Sequence, residues 1–152
     1  MNDTKHKLKR GKMESLWQEV NQNIPQILNS YKNVAVVGLS PKSYKASYAV
    51  AAYLLHSGYT IFPVNPNYEE ILGLPCYARL ADIPQPVDIV DIFRRSEDVP
   101  PIVDDAIEKK AKVIWMQQGI VNEAAAKRAL SAGVRVVMDL CMKIEHMQLW
   151  HS

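Results

Sequence analysis

Near the C-terminus, Asp139, Cys141, Glu145 and His146 bring a thiol, an imidazole and two carboxylates into one short stretch. These are the parts of an activated nucleophile, in which a nearby base favours the thiolate. Spacing alone does not join them, because His146 meets Cys141 only if the chain turns favourably between the two. Cys141 reads more simply as a half-buried structural thiol, or as one lying near a ligand's own thiol, with disulfide exchange as a further alternative. No catalytic residue is assigned here. His6, His56, His146 and His151 show no metal-ligand spacing, so no metal residue is assigned either. There is no G-x-x-x-x-G-K-[ST], the loop that nucleoside triphosphate hydrolysis would need.

The remaining chemistry-bearing residues stand just after apolar runs. In GLSPKSYK, Gly38 ends the run VAVV, and its missing side chain permits close backbone approach. Ser40 offers a hydroxyl and neighbouring amides to an anion at a helix start, and Lys42 and Lys45 add positive charge. A diphosphate fits that description. The plainer alternative is a tight-turn glycine followed by a cap, since the G-x-G-x-x-G spacing is absent. Asn65 and Pro66 close a second apolar run and form either a polar rim or an Asn-Pro turn. No acidic residue stands there to hold the ribose of a nicotinamide cofactor, which weakens a reading as an ordinary NAD protein. Phe93 and Arg94 offer a ring edge and a guanidinium for an adenine or a phosphate. Gln118 and Gly119 could clamp a polar chain, and Asn122 reads as a helix cap.

The elements that must position these residues follow from periodicity. Val34 to Leu39 is a short β-branched run, too apolar for a half-solvated strand, and reads as a strand buried on both faces. Tyr59 to Val64, Val87 to Phe93, Lys112 to Met116 and Val134 to Leu140 repeat the pattern. Helical segments are expected over Ser15 to Tyr31 (broken near Pro25), Ser47 to Ser57, a short patch at Tyr68 to Leu72, from Asp98 or Val99, over the NEAAAKRALSAG stretch, and at the C-terminal IEHMQLW. Strands alternating with helices, with no hairpin signal, predict an α/β fold: a doubly wound, parallel five-stranded sheet in a three-layer αβα sandwich. The default strand order is 3-2-1-4-5, which sets a ligand crevice where strands 1 and 4 diverge.

At 152 residues and 48% apolar, the chain is the size of one domain with an adequate core. Five of its 18 basic residues fall in KHKLKRGK, so residues 1–13 are expected to form a basic flexible tail and residues 14–152 a single, slightly acidic domain. That balance argues against nucleic acid as a partner, and no apolar run is long enough for a membrane. Two distant cysteines without a C-x-x-C point to a reducing cytoplasm. The amphipathic Ser15 to Tyr31 segment leaves a homo-oligomer possible.

Taken in order, VAVVGLSPK, ASYAVAAYLLHSGYTIFPVNP, YEEILGLPCY, LADIPQPVDIVDIFR, AKVIWMQQGIVNEAAA and AGVRVVMDLCMKIEH resemble the small stand-alone CoA-binding domain proteins. That family is Rossmann-like and similar to the CoA-binding domain of the succinyl-CoA synthetase alpha subunit. The resemblance spans about Ile27 to Leu149. It implies that coenzyme A or an acyl-CoA is the ligand, with the diphosphate at Gly38, Ser40 and Lys42. Asn65, Pro66, Phe93 and Arg94 then lie on the nucleotide side, and the QQGI loop with the start of the DLC segment faces the pantetheine arm. Lys45 stands where the family usually has an arginine, keeping the charge without the bidentate fork. The resemblance implies ligand binding more firmly than a reaction. Two further classes stay open: a CoA- or nucleotide-dependent reductase or transferase using Cys141 or His146, and a protein-interaction subunit with a degenerate pocket.

Overall fold

The computed structural model describes residues 15–150. The basic tail lies outside the described residues. Helix α1 covers residues 15–19, and α2 (Ile24–Ser30) begins with Pro25 in its first turn, where the missing N–H is harmless. Between them Asn21 and Asn23 take positive φ of 59° and 56°, which breaks the segment as its proline suggests. Then come β1 (Asn33–Val37), α3 (Ala46–His56), β2 (Thr60–Val64), β3 (Glu70–Ile71), β4 (Leu74–Pro75), β5 (Ile89–Ile92), α4 (Val99–Glu108), β6 (Val113–Met116), α5 (Glu123–Ser131), β7 (Arg135–Val137) and α6 (Met142–Gln148).

The main sheet is five-stranded and fully parallel, in the order β2-β1-β5-β6-β7. Alternate residues of its strands feed two cores. One packs Ala35, Val90 and Ile114 against α4 and α5; the other packs Val36, Ile89 and Trp115 against α2, α3 and α6. The three-layer αβα fold is therefore as expected, but the strand order is not. Counting only the main strands it is 2-1-3-4-5, which puts the predicted third strand in the centre and the second at the border. Pro63 supplies the physical reason. It lies in β2 and cannot donate to a ladder, so a border position, where its ring faces away from β1, is the tolerated one. On that outer side its carbonyl accepts from the Tyr77 N–H (2.9 Å), and Asn65 N–H donates back to the Tyr77 carbonyl (2.9 Å). The opposite border, β7, is covered by Asn21, whose N–H donates to the Val136 carbonyl (2.9 Å) while its side chain brackets Met138 N–H and C=O. The segment carrying α1 and α2 thus passes round the β7 border, burying Leu16 and Val20 in one core and Ile27 and Leu28 in the other.

Two smaller expectations are corrected. The stretch Tyr68 to Leu72 is no helix: β3 and β4 form an antiparallel hairpin whose two turn residues, Leu72 and Gly73, both have positive φ (60° and 71°), the geometry that suits a tight hairpin. The last strand stops at Val137, because Asp139 adopts φ 62° and turns the chain toward α6. The cap at Asn122 is formed as expected, its Oδ1 accepting from the Ala125 N–H at 3.0 Å. Replacing it with alanine is expected to cost about 1 kcal/mol, read as a lower urea midpoint with an unchanged slope. Among the described residues no helix is long and apolar enough to cross a membrane.

Candidate functional site

All five main strands run in one direction, so the loops that follow them share one border of the sheet. The order makes β1 and β5 the pair from which consecutive connections leave in opposite directions, and ligands of such sheets sit at this point. This moves the crevice from the expected strand 1 and strand 4 pair to β1 and β5. At the crossing stands Gly38, with φ 86°. A Cβ there would lie 2.4 Å from the Phe93 carbonyl oxygen and 3.0 Å from Arg94 Cδ. The close approach that the glycine permits is thus made first by the protein's own β5 end.

On the α3 side of Gly38, the loop is built from its own hydroxyls. Ser40 N–H donates to Ser47 Oγ (3.0 Å), and Ser40 Oγ accepts from the Lys42 N–H (3.1 Å). The Lys45 N–H closes a turn on the Lys42 carbonyl (3.0 Å). Helix α3 then begins without an acidic residue in its first turn and without a side-chain cap. The amides of Ala46, Ser47 and Tyr48 have no partner among the described residues, since the first bond is Ala49 N–H to the Lys45 carbonyl. Amides of this kind, with Lys42 and Lys45 exposed beside them, favour an anion.

On the α4 side lies a cleft of about 390 Å³. Val37, Val64, Leu80, Pro101 and Ile102 give it apolar walls; Gly38, Asn65, Pro66, Arg79 and Arg94 form its polar rim together with Glu97, Asp98 and Asp105. Asn65 belongs to the frame: its Nδ2 donates to the Leu39 carbonyl (3.0 Å) and its Oδ1 accepts from the Asn67 N–H (3.0 Å), tying the β2 loop to the β1 loop. Arg94 is half exposed and 4.0 Å from Asp98, a weak pairing, whereas Arg95 is held by Asp98 (3.0 Å) and Glu97 (3.3 Å). Phe93 is half-buried and, with Arg94 and Ile120, lines an adjoining hollow.

The structure therefore brings Gly38, Asn65, Pro66 and Arg94 into one cleft, places Phe93 beside it, and sets Ser40, Lys42 and Lys45 across Gly38. Gln118 and Gly119 are exposed on the β6 loop and do not line the cleft. Gly119 N–H donates to Asp139 Oδ1 (2.7 Å), a contact between loops. Arg79 was not singled out by sequence, because it sits in a linker without periodicity; the pairing of Tyr77 with Val64 carries it to the rim.

Behind the loops, Asp91 is wholly buried in β5. One oxygen accepts from Gln117 Nε2 and the other has no partner among the described residues. Burial pushes its carboxyl up to about 7, against a smaller lowering by the Gln117 bond. The suspected nucleophile is not assembled. Cys141 sits at the start of α6, while His146 lies further along that helix with Nδ1 2.7 Å from the Tyr53 hydroxyl. Burial, then the Lys32 charge, hold the His146 imidazole below its usual range. Among the described residues no group of three or more His, Cys, Asp or Glu side chains could hold a metal ion.

A five-stranded parallel sheet flanked by helices, with a helix start and an apolar cleft on either side of one glycine, defines a Rossmann-like α/β domain. Residues 32–147 match the family described as "CoA binding domain", and the chain belongs to that family. It is 43% identical over 123 residues to YneT of Bacillus subtilis (strain 168), covering 81% of this chain and 91% of that one. It is 33% identical over 109 residues to an acetate–CoA ligase (ADP-forming) of Archaeoglobus fulgidus, covering 72% of this chain but 15% of the ligase, so the likeness is to one segment of a much longer protein. A hypothetical protein from Pyrococcus horikoshii OT3 superposes with a TM-score of 0.83 at 43% identity, over 85% of this chain and 91% of that one.

Proposed function

We propose that the protein binds coenzyme A, free or as an acyl thioester, in a reducing cytoplasm. The observation that carries this reading is the pairing across Gly38 of an unpartnered helix start, flanked by Lys42 and Lys45, with an apolar-walled cleft rimmed by Arg79 and Arg94. In this reading the diphosphate lies on the α3 amides and the adenosine enters the cleft, its flat base between Pro101, Ile102 and Leu80. Arg79 and Arg94 meet phosphate oxygens. The pantetheine arm leaves along the β5 and β6 loops, past Phe93 toward Gln118 and Gly119. Family membership and the ligase likeness support the ligand class. No carboxylate closes β2, and Asn65 is already committed at both ends of its amide, which disfavours the ribose contact of a nicotinamide dinucleotide. No reaction is assigned, since Cys141 and His146 are not joined.

Isothermal titration with CoA, acetyl-CoA, NAD and NADP tests the reading. CoA or acetyl-CoA is expected to bind and the nicotinamide dinucleotides are not. Failure of both free CoA and the thioester at millimolar concentration overturns it. Arg94→Met is expected to weaken CoA about tenfold and to flatten the dependence of affinity on salt, because one phosphate contact is lost.

A further inference from the structure

At the other end of the sheet, where β1 and β2 begin, α2, α3 and α6 flank an open surface hollow of about 650 Å³. Its size is that of a small-molecule site. Lys32, Asn29, Tyr53 and His146 give its polar lining, Pro25 and Trp150 its apolar side, and none of its lining residues is acidic.

The hydrogen-bond accounting of His146 is incomplete. The residue is only 7% exposed, yet Nε2 has no hydrogen-bond partner among the described residues. The Tyr53 hydroxyl shares one hydrogen bond with Nδ1, and with the phenol as its donor the ring proton sits on Nε2. Tyr59 does not compete, because its hydroxyl is spent on the Leu28 carbonyl at 2.7 Å. Lys32 Nζ gives one N–H to the same carbonyl (3.0 Å) and keeps the others. Among the described residues the hollow thus presents an ammonium and an imidazole N–H, with no carboxylate to answer them. An acceptor bearing negative charge would pair with both. An inorganic anion would use only the polar half. Trp150, 77% exposed and edge-on to His146 at 6.4 Å between ring centroids, is left for an apolar body.

We infer that this hollow is a second binding site, independent of the strand-end cleft, for a small carboxylate with a flat apolar body: Lys32 Nζ and His146 Nε2 hold the carboxylate, and Trp150 covers the body. The probe is benzoate, titrated into the full chain with and without saturating CoA and followed by the His146 imidazole NMR signals, which are identified by their loss in His146→Asn. Benzoate is expected to shift them saturably and equally in both conditions. Benzyl alcohol, which keeps the ring and loses the charge, and sulfate, which does the reverse, are each expected to bind at least about tenfold more weakly. Lys32→Gln and the exposed-site variant Trp150→Ala should each weaken benzoate about fivefold or more. No saturable shift, equal binding of benzyl alcohol or sulfate, or unchanged affinity in both folded variants overturns the inference. Because the readout is local to His146, failure here leaves the CoA reading standing, and failure of CoA to bind leaves this site testable.

Discussion

Replacing Asp91 with asparagine is expected to remove most of the protein's pH dependence of stability between about pH 4 and 7. Asp91 is fully buried with one oxygen unpartnered among the described residues, and its carboxyl titrates at about 7 in the fold against 3.8 for an ordinary aspartate. Between those values the folded chain keeps the proton and the unfolded chain has lost it. Stability is therefore full below about pH 4, falls as pH rises, and has lost its whole contribution once pH passes the folded value. The difference is about 4 kcal/mol over the window. At pH 8 the asparagine variant is expected to be more stable than the parent by about 2 kcal/mol. The gain is less than the full difference because the new amide keeps its oxygen on Gln117 and leaves its own N–H groups without acceptors. Urea unfolding from pH 4 to 8 checks both. A parental slope retained in Asp91→Asn would mean that another group carries it.

Gly38→Ala is expected to abolish CoA binding and to lower the unfolding midpoint by about 6 to 12 °C, which corresponds to about 3 kcal/mol. Two penalties combine. A φ of 86° is strained for any L side chain, and the new methyl would stand 2.4 Å from the Phe93 carbonyl, a backbone atom that cannot turn aside. Relief requires the β1 loop to lift off the end of β5, which separates the helix start from the cleft. Differential scanning calorimetry with and without CoA checks the prediction; an alanine variant that melts like the parent and still binds would refute the role given to this glycine.

The strands and the long helices were legible in the sequence because their burial is regular. Val34 to Val37 lies in a sheet covered on both faces, and so reads as an unbroken apolar run. The strand order was not legible from runs alone, since every central strand looks alike. Its one local signal is Pro63, which marks a border strand. The β3–β4 hairpin was hidden because its turn places Leu72 at positive φ, against the preference of its side chain. At the cleft, Gly38, Asn65, Pro66 and Arg94 stood out in the sequence because each lies just after an apolar run. Arg79 was not, because only a long-range bridge brings it to the rim. The thiol and imidazole of the last segment were close in sequence but are separated by the direction of α6, whose histidine is taken by Tyr53.

The two backbone bridges at the sheet borders, Tyr77 beside β2 and Asn21 beside β7, also bear on how the molecule meets others of its kind. An incoming extended chain would find donors and acceptors already taken where it must begin to zip, on the left by a proline-backed stopper and on the right by an asparagine clip. Edge-to-edge pairing of strands is thereby hindered at the places where these two bridges stand.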